Sequence, residues 1–283
     1  MGALIVNADD FGLTSGVNRA IHELHQAGVV TSTTLMARAA ATGEAISIAR
    51  ATPSLAVGCH IVLADGEPVL PPDRIPSLVD PRTGRFPDTL TQFLPRLLTG
   101  RIRAAEIEAE VSAQIEFLQN SGLHLTHVDT HKHLHVFPTV LRAVLHAARA
   151  HGISAIRNPF EPAWALRATD GAPWLRMAQV AATRILEPRC RSILAEYSFS
   201  TTSGTIAVAG TGILDAAMLR SLLAQLPAGT WELVTHPGYN DAELARVRTR
   251  LRASRDTERQ ALLALLDLPV AAERISFADL PRI

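Results

Sequence analysis

Short apolar runs rich in β-branched residues alternate with amphipathic stretches of helical period, and this alternation restricts the fold more than any single motif. Residues 3–8 (ALIVNA) read as a buried strand, since a continuous apolar run fits a sheet covered on both faces. Thr14 and Ser15 then open a helix with Val17, Ala20, Ile21, Leu24 and Ala27 on one face, closed by Gly28. The unit repeats as strand 29–36, helix 40–51 and strand 55–63. After an interruption come a helix over 103–120, a strand from Leu125, a helix over 138–151 and a short strand at 154–157. Residues 162–195 have helical periodicity broken at Pro173 and Pro188. Strand 200–209, helix 214–225, strand 230–235, helix 254–267 and a last strand at 274–278 complete the pattern. In helix 103–120, Ile107, Val111, Ile115 and Leu118 form the buried stripe, and Glu106, Glu108 and Glu110 are expected to face water. Parallel strands with helical crossovers follow, so the expected fold is α/β, one domain over 1–283 built as a TIM-like barrel, complete or distorted. An open doubly wound sheet is the alternative.

The rhythm breaks between Asp65 and Asp88, where six prolines exclude another βα unit. This irregular insertion at 65–88 leaves a strand that carries His60, a position suited to a lid or to a plain surface excursion. With 27 basic against 27 acidic residues, no excess charge points to nucleic acid or to a general attraction to anionic membranes. Two cysteines, Cys59 and Cys190, make no disulfide framework, and Cys59 should lie on the opposite strand face from His60 as core filler. No apolar stretch is long enough to span a bilayer and no signal peptide is recognisable, so a cytoplasmic protein is expected, with peripheral contact at the inner membrane and a homodimer left open.

The stretch Leu125 to His135 (LTHVDTHKHLH) carries the chemistry. On a strand, His127, Asp129 and His131 share one face, with His133 in line if the extension continues. Four imidazoles and a carboxylate in eleven residues need partners if buried, and a divalent cation is an economical one. Asp9 and Asp10, His60, His131 and His236 fall at the carboxyl ends of different expected strands, where sites assemble in barrels and open α/β sheets alike. Two imidazoles and one carboxylate leave positions open on a divalent ion, so Asp10, His60 and His131 are the candidate ligands. Exchange of His131 for His133 stays open. Asp9 is then the candidate base, and His236 the group that protonates a leaving amine or bonds a developing oxyanion. His127, Asp129 and His133 are expected to orient the ligands.

The segments LIVNADDFG, VTSTTLM, VGCHIVL, THVDTHKHLHVFP and VTHPGY, in this order, resemble the YdjC/ChbG family of carbohydrate deacetylases along essentially the whole chain. The resemblance implies a barrel-like α/β fold, a divalent metal, Zn or Mg, and hydrolysis of the acetamide of an N-acetylated sugar. It assigns Asp10, His60 and His131 to the metal and Asp9 to the base; His236 matches its motif. Under this reading Arg157, at a strand end, is a candidate for binding a sugar hydroxyl or orienting Asp9, with structural pairing to an acid equally open. The insertion and the IRNPFEP segment look most like the hopanoid-biosynthesis-associated branch, which implies an N-acetylglucosaminyl lipid as substrate. Where the chitooligosaccharide branch runs consecutive histidines, this chain has Lys132, its only lysine. Trp164, Leu166, Trp174, Leu175, Met177, Val180, Ile185 and Leu186, set among arginines, suit a hydrophobic rim or ordinary core packing. Other readings are a deacetylase of soluble chitooligosaccharides, a phosphoesterase and a non-catalytic binding protein. The phosphoesterase lacks an evident basic cluster for phosphate, and retention of Asp9 and His236 speaks against the binding protein.

Overall fold

The structure, a computed structural model, describes residues 2–267 and 272–281. The first half runs β1 (Gly2–Phe11), α1 (Ser15–Gln26), β2 (Ser32–Leu35), α2 (Thr42–Ala51), β3 (Ala56–Ile61), α3 (Leu90–Leu98), α4 (Ala104–Asn120), β4 (Val128–Thr130) and α5 (Pro138–Ala150). Three helices follow, α6 (Ala163–Ala168), α7 (Trp174–Thr183) and α8 (Glu187–Tyr197). The chain ends with β5 (Gly204–Ile206), α9 (Ala216–Ala224), β6 (Thr230–Thr235), α10 (Ala242–Arg246), α11 (Arg255–Leu263) and β7 (Ala272–Ile275). Thr14 caps α1 by accepting the Val17 N–H at 3.2 Å, as its place before the helix predicts.

All strands pair in parallel in the order β4-β3-β2-β1-β6-β5, with β7 added beside the first residues of β1. Bridges from Val128 to Ile156 and from Ala155 to Ser200 carry the pairing from β4 through 154–157 to the chain entering β5, so the sheet curls. The result is a distorted barrel and not a regular eight-stranded one. Residues 154–157 contribute only bridge pairs, and the strand expected over 200–209 shrinks to Gly204–Ile206, beyond which Ala207 turns left-handed at φ 69°.

Alternation along the strands separates two environments. Leu4, Val6, Ala8, Val57, Cys59, Ile61, Val128, Ile206 and Leu233 pack into the apolar layer shared with the helices. Cys59 thus faces away from His60, and burial pushes its thiol up. On the other face the lower layer is apolar, with Ile5, Ala155, Phe277 and Leu280 in one cluster. Above it Asn7, Asp9, Thr34, His60, Asp129, Arg157 and Glu232 are all buried. Gly58 lies under this layer because a Cβ there would meet His127 Cε1 at 2.6 Å and its carbonyl oxygen at 2.7 Å. Gly58→Ala is therefore expected to destabilise the protein by about 1–3 kcal/mol through overpacking, a loss readable as a lowered melting temperature.

The insertion is fastened to α4, which corrects the expected water-facing glutamates. Only Glu108 is accessible, pairing with His146 at 2.6 Å. Glu110 is fully buried and accepts the backbone N–H groups of Val69 at 2.8 Å and Leu70 at 3.0 Å, and Glu106 accepts that of Ser77 at 2.7 Å. Prolines cannot donate to a ladder, so the few free amides in the insertion are tied by carboxylates instead. Ile75, Leu78, Val79 and Phe86 anchor it in the core, and α3, unanticipated in the sequence, follows behind a Thr89 cap. Removing the carboxylate in Glu110→Ala strands two half-buried amides at up to about 1–3 kcal/mol each, so limited proteolysis should cut within 66–88 faster than in the parent protein.

Candidate active site

β1 supplies two adjacent carboxylates to one rim through a local irregularity. Asp9 follows the inward alternation, and Asp10 would point outward on a regular strand. The register with β2 shifts between Ala8 and Phe11, and Asp10 takes φ 65°. Such a bulge re-aims a side chain, and Asp10 Oδ1 lands 3.5 Å from His60 Nε2 and 3.4 Å from His131 Nδ1. The two imidazole nitrogens are 3.2 Å apart. β3 brings His60 to the rim, and the turn after β4 brings His131.

The strand does not continue through His133, so the expected period-two series stops at Thr130. Lys132 and His133 are both left-handed, at φ 59° and 53°, which leaves His131 beside Asp10 and His60 and directs His133 elsewhere. His133 Nδ1 is buried without a hydrogen-bond partner. Asp129 lies 2.8 Å from His60 Nδ1, a contact that leaves Nε2 as the nitrogen facing Asp10. His127 does not orient a ligand: it sits one layer lower, stacked on Phe277 with ring centroids 3.8 Å apart, its Nδ1 bonded to Thr126. The face was read correctly and the depth was not.

Arg157 is buried at the centre of the barrel, so it cannot reach a sugar hydroxyl. Its guanidinium grips Asp9 through two hydrogen bonds of 2.8 and 2.6 Å, pairs with Asp129, and bonds Glu232 at 2.7 Å. Asn7 Nδ2 adds a 2.9 Å bond to Asp9. His236, just past β6, places Nε2 3.8 Å from Asp9 Oδ2.

Burial alone would raise the Asp9 carboxyl, but the charge and hydrogen bonds of Arg157 hold it below the usual carboxylate range. Asp10 is likewise held low against burial by Arg255 and the two imidazoles. His60 moves the other way: burial disfavours its cation, yet Asp129 and Asp10 push it up to about 10. Burial carries His236 down to about 4, against the pull of Asp9 and Asp10. The cluster thus favours a positive charge between Asp10, Asp129 and His60.

A divalent ion fits this arrangement. Asp10 Oδ1 is buried with no hydrogen-bond partner, and two imidazole nitrogens face it. Two nitrogens and one oxygen suit zinc-like ions better than magnesium, which prefers oxygen donors. Metal ligation would displace the His60 proton. Asp9, His60 and Asp129 also converge, but both carboxylates there are already paired with the Arg157 cation, which repels a second positive charge.

Several site residues escaped the sequence. Arg255 donates to Asp10 Oδ2, Glu258 accepts the His236 N–H at 2.8 Å, and Thr34 lies within 3.4 Å of Asp9, His60 and Asp129. His135 joins Thr130 at 2.7 Å to the Arg157 carbonyl at 3.2 Å. Glu232 alone left a readable trace, a charge in the middle of the apolar strand TWELVT.

Fold and site together define a parallel β/α-barrel protein with a buried acid and imidazole centre at the carboxyl ends of its strands. The chain belongs to the YdjC-like family, whose profile, described as YdjC-like protein, matches residues 3–272. A carbohydrate deacetylase of Thermoanaerobacter pseudethanolicus is 28% identical over 262 residues, 93% of this chain and 91% of that protein. A chitooligosaccharide deacetylase of Klebsiella pneumoniae is 34% identical, covering 84% of this chain and 82% of its own. A carbohydrate deacetylase of Brevibacillus brevis is 42% identical over 160 residues, and that match spans only 59% of its length. In fold, the chain is similar to a crystal structure from Enterococcus faecalis described as a candidate cellobiose-phosphate cleavage protein, with TM-score 0.76, 24% identity and coverage of 98% and 97% of the two chains.

Proposed function

We propose that the protein is a metal-dependent carbohydrate deacetylase that hydrolyses the acetamide of an N-acetylated sugar and releases acetate. The observation that carries this reading is the unpartnered Asp10 Oδ1 facing His60 and His131, one residue from an ionised Asp9 fixed by Arg157. Held by Asp10, His60 and His131, a divalent ion would supply polarisation of the acetyl carbonyl and a lowered pKa for water. Asp9 takes the proton of the attacking water, and Arg157 keeps that carboxylate aimed and anionic. His236 Nε2 lies 3.8 Å from Asp9 Oδ2, beyond a direct hydrogen bond, so the proton passes to it through an intervening water or the substrate. An imidazole pushed down to about 4 surrenders a proton readily, and the departing nitrogen receives it as the C–N bond breaks. The relatives named for carbohydrate and chitooligosaccharide deacetylation support the same chemistry. Acetate release from N-acetylglucosamine oligomers and conjugates by metal-reconstituted protein tests the reading; no acetate release, with phosphate released from sugar phosphates offered in parallel, would favour a phosphoesterase.

The finer substrate we propose is N-acetylglucosamine linked to a hopanoid lipid. No residue of α7 is buried, and Trp174, Leu175 and Ile185 are exposed by 78, 54 and 84%. Exposed apolar groups of this size suit a lipid or membrane surface. Arg176 ties the helix to the Val208 carbonyl at 3.2 Å, just past the carboxyl end of β5. No helix among the described residues is long and apolar enough to cross a membrane, so the contact proposed is peripheral. The protein should float with liposomes, and Trp174→Ser together with Ile185→Ser should abolish flotation. Sedimentation of the parent protein without liposomes, with turnover confined to soluble oligomers, would replace the lipid with a chitooligosaccharide.

A further inference from the structure

The segment after α10 crosses the rim and meets the site where no strand supplies a residue. Arg255, the first residue of α11 and 1% exposed, reaches two groups at once. Its Nη2 donates to Asp10 Oδ2 and its Nη1 to the His236 carbonyl at 3.4 Å. One helical turn later Glu258, equally buried, accepts the His236 N–H at 2.8 Å. Residues three apart share a helix face, so a single turn of α11 holds the His236 peptide at both its donor and its acceptor and also grips Asp10. The Gly238 N–H donates to the Arg255 carbonyl at 3.2 Å, and a Cβ at Gly238 would lie 3.1 Å from Arg255 Cδ, so the arginine stem packs against the turn carrying His236. Earlier in the same segment, Arg248 pairs at 2.7 Å with Asp65, which also holds Lys132, the neighbour of His131, at 2.7 Å.

Asp10 needs such support, because a left-handed residue other than glycine persists only where its surroundings fix it. With Oδ2 taken by Arg255, only Oδ1 is left to face His60 and His131.

We propose that Arg255 is a positioning residue that fixes the orientation of the Asp10 carboxylate and ties it to His236, so that one turn of α11 sets both the ligand geometry and the proton-transfer group. The part concerning His236 rests on the deacetylase reading; the part concerning Asp10 needs only metal binding. Two effects of Arg255 on a cation have opposite signs. Its charge repels the ion, so its loss would tighten binding if charge decided; its two-pronged grip aims the ligand, so loss would weaken binding if position decided.

The test is Co²⁺ titration of the full-length, metal-stripped protein, followed by visible absorption, for the parent, Arg255→Lys, Arg255→Met and Glu258→Gln. A lysine keeps the charge but cannot serve two acceptors in the planar fork geometry of a guanidinium. Loss of a group that orients a ligand typically costs about 10–100-fold in metal affinity, and we expect that loss in both Arg255 variants, with an altered cobalt spectrum. Glu258→Gln should bind Co²⁺ within about twofold of the parent while acetate release falls about tenfold, since the Glu258 side chain hydrogen-bonds the His236 N–H and none of the candidate ligands. Parent-like binding by Arg255→Lys, tighter binding by Arg255→Met, or an equal loss in Glu258→Gln would overturn the proposal. Should Arg255→Met fail to fold by circular dichroism, Arg255→Lys and Glu258→Gln decide. A parent protein that binds Co²⁺ but releases no acetate would sink the functional reading, and the order of Co²⁺ affinities would still judge Arg255 and Asp10.

Discussion

Asp10→Ala should leave the protein unable to retain a stoichiometric divalent ion and lower acetate release by at least about a thousandfold. Lewis-acid stabilisation is worth several kcal/mol, and each 1.36 kcal/mol is a factor of ten in rate, so about 4 kcal/mol corresponds to that loss. Asp10 supplies the oxygen of the candidate ligand set, and its neighbours are already committed. Asp9 is clamped by Arg157 and Asp129 by both Arg157 and His60, so neither carboxylate is free to replace it. His131→Ala should behave alike, whereas Asp9→Asn should keep the ion and lose turnover, because it removes the proton acceptor and leaves the ligands in place. Metal content by atomic emission beside acetate release in each variant checks the three outcomes. Full retention of metal and rate by Asp10→Ala would dismiss the site.

Arg157→Met should destabilise the fold by about 3–5 kcal/mol or more, the range for breaking a buried ion pair on one side. Three carboxylates surround this guanidinium, and Asp9, Asp129 and Glu232 are all buried. Methionine fills similar volume and supplies no charge. At about 2–4 °C per kcal/mol for domains of 150–250 residues, the melting temperature should fall by about 10 °C. Burial already pushes Glu232 up to about 7 against the opposing Arg157 charge, so it is the acid that most readily gives up its charge. Adding Glu232→Gln to Arg157→Met should therefore recover part of the loss. Calorimetric unfolding of the single and double variants checks this, and a single variant that melts with the parent would mean that the buried acids are neutral without their arginine.

These two residues also mark how far the sequence could be read. The outer faces of β1, β3 and β6 were legible because their apolar residues pack against helices whose stripes carry the matching period. The barrel interior was harder, since each strand contributes only one or two polar side chains to it. Asn7 in LIVNA and Thr34 in STTL look like ordinary strand residues until the strands are brought together. Asp9, Asp10, His60, His131 and His236 could be placed together from the sequence because strand ends collect at one rim, whichever α/β topology is assumed. His127 was misplaced for the same reason that it was noticed. Period two gives the face and not the height, and Phe277, which stacks on it, arrives from the far end of the chain. Arg255 and Glu258 lie in RDTERQ, a stretch indistinguishable from a solvated helix surface. Their burial comes from the returning loop, which no local pattern specifies.

The most direct measurement is anomalous scattering from crystals grown with zinc. Ligation by Asp10, His60 and His131 predicts one strong peak within about 2.0–2.3 Å of Asp10 Oδ1, His60 Nε2 and His131 Nδ1, absent in crystals of Asp10→Ala. A peak seated between Asp9 and Asp129, or one that survives in Asp10→Ala with His60 and His131 uninvolved, would contradict it.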